Sequence, residues 1–112
     1  MNVFLWIAQV LLALFFVSAS YFHGLAPHDV AVRNAPWIAD VSTAFRTLIG
    51  AVELAGGIGV LIPAFARRAA VGLTVLMMCA TAFHLWRGEA HIIWLNLCLG
   101  AVAAFVGWGR RR

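Results

Sequence analysis

Four long apolar stretches alternate with short polar segments along this chain of 112 residues. Each stretch has about the 17–25 residues that a helix needs to cross the hydrocarbon of a bilayer. The expected bounds are about 3–22, 45–66, 69–86 and 92–108. Because the connections between the last three stretches are very short, these helices must pack antiparallel. The pattern therefore predicts an all-α fold, in which residues 1–112 form one integral membrane four-helix antiparallel bundle.

The amino-acid composition supports a membrane protein. Hydrophobic residues make up 64% of the chain and charged residues 11%, and the mean hydropathy is +0.96. Soluble domains carry about a quarter charged residues. A soluble fold of this composition would lack the polar side chains to cover its surface.

The first apolar stretch has some features of a secretion signal. Residues 5–17 resemble its apolar core, and the small residues at 18–20 resemble a cleavage site. However, no basic residue precedes Phe4. We therefore expect the first stretch to be a transmembrane helix.

The arginines predict the orientation of the bundle. Most of them follow the second and fourth stretches, at Arg67, Arg68, Arg110, Arg111 and Arg112. Arginines on the opposite side are diluted by acidic residues at 29, 40 and 89. Since basic residues near span ends stay in the cytoplasm, both termini are predicted to be cytoplasmic. The isoelectric point near 10.6 then indicates topology and a weak affinity for anionic lipid, not nucleic-acid binding.

Glu53 is the most unusual polar residue, because it lies inside the second apolar stretch. A charged side chain in mid-membrane costs about 3 kcal/mol or more, so intramembrane acids usually face a bundle interior. Two interpretations stay open at this point. Glu53 belongs either to a functional path or to a set of hydrogen bonds that locks the helices together.

Glu53 shares one face of its helix with three other residues. Arg46, Gly50, Glu53 and Gly57 are spaced 4, 3 and 4 positions apart, which aligns them along one stripe. The stripe is expected to face the bundle, where its glycines allow close approach of a neighbouring backbone or a ligand. A direct pair between Arg46 and Glu53 would need an inward-folded arginine or a bridging water, because they lie nearly two turns apart.

Counting residues from the span ends places most polar side chains in the outer half of the bundle. They include Ser18, Ser20, Tyr21, Arg46, Glu53, Thr81, His84 and Asn96. The inner half holds little that is polar beyond Gln9 and Thr74. This clustering predicts an outer-half pocket. Its expected ligand-binding residues are Tyr21, Arg46, Gly50, Glu53, Gly57, His84 and Asn96.

His84 and Glu53 are the candidate catalytic residues. A histidine beside a carboxylate supplies a base and an acid for proton transfer, although their spacing does not show that the two meet. No HxxxH or HxxE spacing links the histidines, and no metal site is expected. Cys79 and Cys98 are expected at similar depth as buried packing residues, since redox thiols need accessibility.

Residues 46–63, RTLIGAVELAGGIGVLIP, and residues 70–84, AVGLTVLMMCATAFH, resemble the DoxX-like family of small four-helix bacterial membrane proteins. The resemblance carries over Arg46, Gly50, Glu53, Gly57, Pro63 and His84. Relatives often have a glycine and a lysine near the outer end of the first helix. This chain has residues 18–23, SASYFH, at that point, so the role of the lysine is either absent or passed to His23.

The resemblance implies a multi-pass protein of the bacterial inner membrane, and it leaves two functions open. In the first, the outer-half pocket around Glu53 binds a hydrophobic small molecule, such as a quinone, an isoprenoid or a sterol-like lipid. In the second, the chain is a non-catalytic subunit or assembly factor of a membrane oxidoreductase complex, and its glycine stripe packs against a partner's helix. A homodimer is also plausible, and whether the protein is an enzyme stays open.

Overall fold

The computed structural model describes residues 2–111, which are almost entirely helical. This part of the chain has five α-helices: α1 (Asn2–Ser20), α2 (His28–Asn34), α3 (Thr43–Gly59), α4 (Ala66–Trp86) and α5 (Ile93–Gly109). A turn of π-helix, Tyr21–Leu25, extends α1, and two 3-10 turns are formed by Pro36–Asp40 and Ala90–Ile92. The prediction of an all-α fold is confirmed.

The four longer helices form a ring. Both α1 and α4 pack against α3 and α5, and the most extensive contacts join α4 to α5 and α1 to α3. The core fills the centre of this ring with small and medium side chains. Its buried members are Ala8, Leu12, Ala13, Phe16, Val60, Ala70, Leu73, Met77, Ala103 and Val106.

The described ends of the chain lie together at one end of the bundle. Arg110 donates hydrogen bonds from Nη1 to Asn2 Oδ1 at 2.8 Å and from Nε to Gln9 Oε1 at 2.9 Å. Gln9 Nε2 in turn donates to the Val60 carbonyl at 2.6 Å, just after α3. We call this the terminal end, and we call the opposite end, with residues 21–42 and 87–92, the loop end.

Helix α3 ends at Gly59, whereas the sequence pattern predicts a span that reaches residue 66. Three glycines close together, Gly56, Gly57 and Gly59, weaken this part of the helix. Pro63 lies in the turn before α4, where its ring prevents the helix from continuing. With 17 residues, α3 is shorter than the three described segments that are long and apolar enough to span a membrane. These are Asn2–Leu25, Ala66–Trp86 and Ala90–Gly109.

The loop end is held by local hydrogen bonds. Helix α4 ends in a Schellman motif, in which Gly88 N–H donates to the Leu85 carbonyl at 3.1 Å and Glu89 N–H donates to the His84 carbonyl at 2.8 Å. The motif requires a left-handed residue, and Gly88 supplies it with φ of 78°. The Ser42 hydroxyl oxygen caps α3 by accepting from Phe45 N–H at 3.1 Å.

Candidate functional site

A cavity of about 460 Å³ lies at the loop end between the four long helices. Its walls are mostly apolar and aromatic, with Phe15 from α1 and several residues each from α3, α4 and α5. The segment from Asn34 to Trp37 also lines the cavity. The polar side chains that reach it from the helices and the π-helical turn are His23, Glu53, His84 and Asn96.

The buried carboxylate of Glu53 pairs with His23. The distance from His23 Nδ1 to Glu53 Oε1 is 2.6 Å, and the Glu53 side chain is only 3% exposed. The pairing that we considered between Glu53 and His84 is not formed. In the tautomer with its proton on Nδ1, the His23 ring donates to Glu53 Oε1. The bond uses one carboxylate oxygen and leaves Oε2 for a ligand.

The π-helical turn explains how His23 reaches Glu53. The Ala26 N–H donates to the Tyr21 carbonyl at 2.8 Å, five residues back. A π-turn holds one more residue than an α-turn and so changes the direction of the side chains that follow it. A straight continuation of α1 would give His23 a different direction, and the sequence shows no sign of the wider turn.

Arg46 holds this turn in place and makes no direct pair with Glu53. Its Nε donates to the His23 carbonyl at 2.6 Å, and its Nη2 donates to the Ala26 carbonyl at 2.9 Å. These carbonyls lie at the end of a helix, where the helix itself leaves them without donors. Arg46 therefore has a positioning role beneath the cavity: it fixes the backbone of the residue whose ring binds Glu53.

The glycines of the α3 stripe contact the chain's own α1 and its extension. A Cβ on Gly50 would lie 2.8 Å from Gly24 Cα and 3.0 Å from the Ser20 carbonyl oxygen. A Cβ on Gly57 would lie 3.1 Å from a methyl carbon of Val17. The stripe faces the bundle as predicted, but α1 occupies the surface that we had assigned to a partner's helix.

His84 forms a second carboxylate–histidine pair on the opposite side of the cavity. Its Nδ1 lies 3.0 Å from Glu89 Oε1, which also accepts from Arg87 Nε at 2.7 Å. Arg87 also pairs with Asp40 in the 3-10 turn of the loop end. The hydrogen bond from His84, followed by that from Arg87, lowers the pKa of Glu89, although partial burial opposes the shift. The hydrogen bonds to Asp40 and Glu89 raise the pKa of Arg87.

The lowered pKa of Glu89 predicts a loss of stability in acid. The pKa falls below the ordinary value of 4.5 in the folded state, so the contribution is complete above 4.5 and disappears as pH falls through the lowered value. We expect Glu89→Gln to destabilise the protein at about pH 7 by about 1 kcal/mol at most, and the difference to disappear as pH falls through the lowered pKa of Glu89. Thermal unfolding of both proteins across this range measures the difference. A gap that persists in acid would contradict the assignment.

Asn96 lines the cavity and carries an unsatisfied amide. Its Nδ2 is buried and has no hydrogen-bond partner among residues 2–111. An amide N–H left in this state costs about 1–3 kcal/mol. Asn96 thus holds a donor that no other described residue uses.

Tyr21 and the cysteines differ from the predictions. Tyr21 is 48% exposed on the π-turn and does not line the cavity. Cys79 and Cys98 are free and exposed, so the prediction that both are buried is wrong. The helices α4 and α5 are largely unburied within the chain, so residues on their outer faces are exposed. Cys79 lines the cavity.

Trp37 and Phe83 are cavity residues that the sequence analysis missed. The Trp37 ring lies edge-on to His23, with 5.2 Å between ring centroids, and edge-on to Phe83 at 6.0 Å. Phe83 in turn lies 5.8 Å from His84. These aromatic rings form a row between the two histidines. A tryptophan near a span end usually anchors a helix at the membrane surface. The role of Trp37 in the cavity therefore becomes visible only in the folded loop end.

The described residues, 2–111, contain no group of three or more His, Cys, Asp or Glu side chains that could hold a metal ion. What the cavity offers is hydrogen bonding in an apolar enclosure. Asn96 supplies a free donor, Glu53 supplies an acceptor, and two histidines are held by carboxylates through Nδ1. Such a site suits an apolar molecule that carries one or two oxygen atoms.

The comparison with known families agrees with the resemblance drawn from the two central helices. The profile of the DoxX-like family matches residues 7–106, nearly the whole chain. The match thus includes α1 and α5, the first and last of the four long helices, where the sequence resemblance is weaker. No curated protein and no solved structure matches the chain.

Proposed function

Because this chain belongs to the DoxX-like family and is a membrane protein, we propose that its cavity binds a hydrophobic small molecule in the membrane. Candidates are a quinone, an isoprenoid or a sterol-like lipid. The volume of about 460 Å³ lies within the range of about 300–1,000 Å³ that is typical of small-molecule sites. The apolar walls suit the body of such a molecule, and the few polar groups would orient its oxygen atoms.

The observation that carries the proposal is the free amide of Asn96. Nδ2 is buried without a partner among the described residues, and a ligand oxygen that accepts from it would remove the cost of leaving it unpaired. Glu53 provides an acceptor instead of a donor, because its Oε2 can accept a hydrogen bond from a ligand hydroxyl. A ligand hydroxyl can donate to Glu53, and a carbonyl or hydroxyl oxygen can accept from Asn96.

The membrane topology belongs to the same proposal. Helix α3 also crosses the membrane, in addition to the three longer spans. Glu53 and Arg46 face inward, so that the ring of helices shields both from lipid. The terminal end carries Arg67, Arg68 and Arg110 against no acidic residue, whereas the loop end holds Asp29, Asp40 and Glu89. This charge distribution favours a terminal end on the cytoplasmic side of a bacterial inner membrane.

Replacement of the free amide tests the proposal. We expect Asn96→Leu to stabilise the ligand-free protein in detergent by about 1 kcal/mol, because an unpaired buried polar group is replaced by an apolar one of similar size. The same variant should lose the rise in unfolding midpoint that a bacterial lipid extract gives the wild type. Thermal unfolding with and without the extract measures both effects.

Thr81→Val is the matched control on α4. The Thr81 hydroxyl already donates to the Met77 carbonyl at 2.8 Å, so its removal should give no gain in stability and leave the response to the extract intact. If Asn96→Leu destabilises the ligand-free protein, the amide serves the fold and the proposal loses its main support.

A further inference from the structure

A groove on the surface of α1 lies beside the cavity and shares part of its lining. It has a volume of about 570 Å³ and runs along one face of the helix, where Leu11, Leu14, Phe15, Ser18 and Phe22 line it. Most of these residues are exposed within the chain. From Leu11 to Phe22 the groove extends about 16 Å along the helix axis, enough for a chain of about ten carbons.

Three residues line both the groove and the cavity: Phe15, His23 and Asn34. Phe15 is the residue of helix α1 that reaches the cavity, and Leu95, Asn96 and Leu99 line it from α5. Two specific contacts join α1 to the end of α5 at the terminal end. They are the close approach of Leu5 to Gly109 and the hydrogen bond from Arg110 to Gln9. The two helices are therefore fastened at one end, and the cavity lies toward the other.

The groove and the cavity are arranged like a membrane amphiphile. The polar groups, His23, Glu53 and Asn96, lie together in the cavity, whereas the part of the groove furthest from them is lined by Leu11 and Leu14. A molecule with its head in the cavity and its chain along α1 would place the polar part near the loop end and the apolar part near mid-bundle. A compact ligand without a chain would leave the groove unused.

We propose that the cavity opens sideways past Phe15 and takes a single-chain amphiphile, whose head binds at Glu53 and Asn96 and whose alkyl or isoprenoid chain lies along α1. This inference rests on the proposed function and narrows its ligand class. The ligand's alkyl chain moves from lipid, not from water, into the protein. It therefore gains packing contacts but little hydrophobic free energy. The position of the bound chain, not its effect on affinity, is therefore the property to measure.

The test uses two photoreactive probes with the protein in lipid nanodiscs. The short probe is a phenol with a diazirine next to its ring. The long probe is the same phenol with a chain of about ten carbons that ends in the diazirine, which matches the groove length. Labelled residues are identified by peptide mass spectrometry. We expect the short probe to label cavity residues and the long probe to label α1 between residues 11 and 18.

Ser18→Phe fills the middle of the groove and should lower labelling of the groove face of α1 by the long probe to the level of the other faces, with labelling by the short probe unchanged. Val10→Phe is the matched control, because Val10 is an exposed α1 residue outside the groove lining. The short probe could label the cavity while the long probe labels α1 evenly on all faces, or labels α1 equally in Ser18→Phe. Either result would contradict binding of the alkyl chain in the groove and leave the proposed function standing. If neither probe labels the cavity, the proposed function itself fails.

Discussion

Glu53→Gln is expected to leave the protein folded and to weaken ligand binding strongly. Glutamine has the same shape, and its carbonyl oxygen can still accept from His23 Nδ1, where the carboxylate bond is 2.6 Å long. Its NH2 group must then face the cavity, so the group offered to the ligand changes from an acceptor to a donor. Losing a hydrogen bond to a charged group costs about 1.5–3 kcal/mol, or about 10- to 100-fold in affinity.

The measurement is the rise in unfolding midpoint on adding a bacterial lipid extract, compared between wild type and Glu53→Gln. Glu89→Gln is the matched control, because it removes the carboxylate of the other histidine pair, which lies in the turn beyond the cavity lining. We expect the control to keep its response to the extract. An unchanged response in Glu53→Gln would mean that the Glu53–His23 pair serves only to join α3 to the end of α1.

Gly50→Ala is expected to be the most destabilising single-methyl change in α3. The new Cβ would lie 2.8 Å from Gly24 Cα and 3.0 Å from the Ser20 carbonyl oxygen. Both are backbone atoms, so α1 and α3 must move apart at the point where His23 meets Glu53. Overpacking of this kind costs about 1–3 kcal/mol or more. Chemical or thermal unfolding in detergent measures the loss.

Gly72→Ala provides the control for Gly50→Ala. Gly72 lies in α4, and a Cβ there would meet nothing within 4 Å. Since alanine favours helix over glycine by about 1 kcal/mol, this variant should be neutral or more stable. Equal effects of the two substitutions would contradict the close contact between α3 and the extension of α1.

The close contact also links the two expected results. Arg46 binds the carbonyls of His23 and Ala26, Gly50 lets the same segment approach, and Glu53 binds the His23 ring. Three successive residues of one helix face thus hold a single short turn. The stripe serves both the fold and the site, because it fixes the histidine that completes the polar side of the cavity.

The inward face of α3 could be predicted because it follows from helical periodicity alone. Arg46, Gly50, Glu53 and Gly57 are all buried, as their spacing predicts for one stripe. The shared depth of Glu53, His84 and Asn96 was also readable by counting residues, and the three line one cavity. Helix geometry converts sequence position into depth, so these inferences need no knowledge of how the helices are arranged.

The partners of the polar residues could not be predicted, because they depend on loops and turns. His23 reaches Glu53 only through a π-helical turn. Trp37 lines the cavity only because the 3-10 turn at residues 36–40 lies against it. The exposure of Cys79 and Cys98 depends on which faces of α4 and α5 the other helices cover. The lack of a partner for the Asn96 amide depends on the packing of the whole bundle, so no local sequence pattern predicts it.

Native mass spectrometry of the protein released from its own membrane tests the central claim most directly. Wild type, Glu53→Gln and Asn96→Leu are compared after mild removal of detergent, and any bound molecule is identified by its mass. We predict one hydrophobic small molecule per chain on the wild type and none on either variant. A wild type without any bound molecule, or the same molecule retained by both variants, would contradict a ligand site at Glu53 and Asn96.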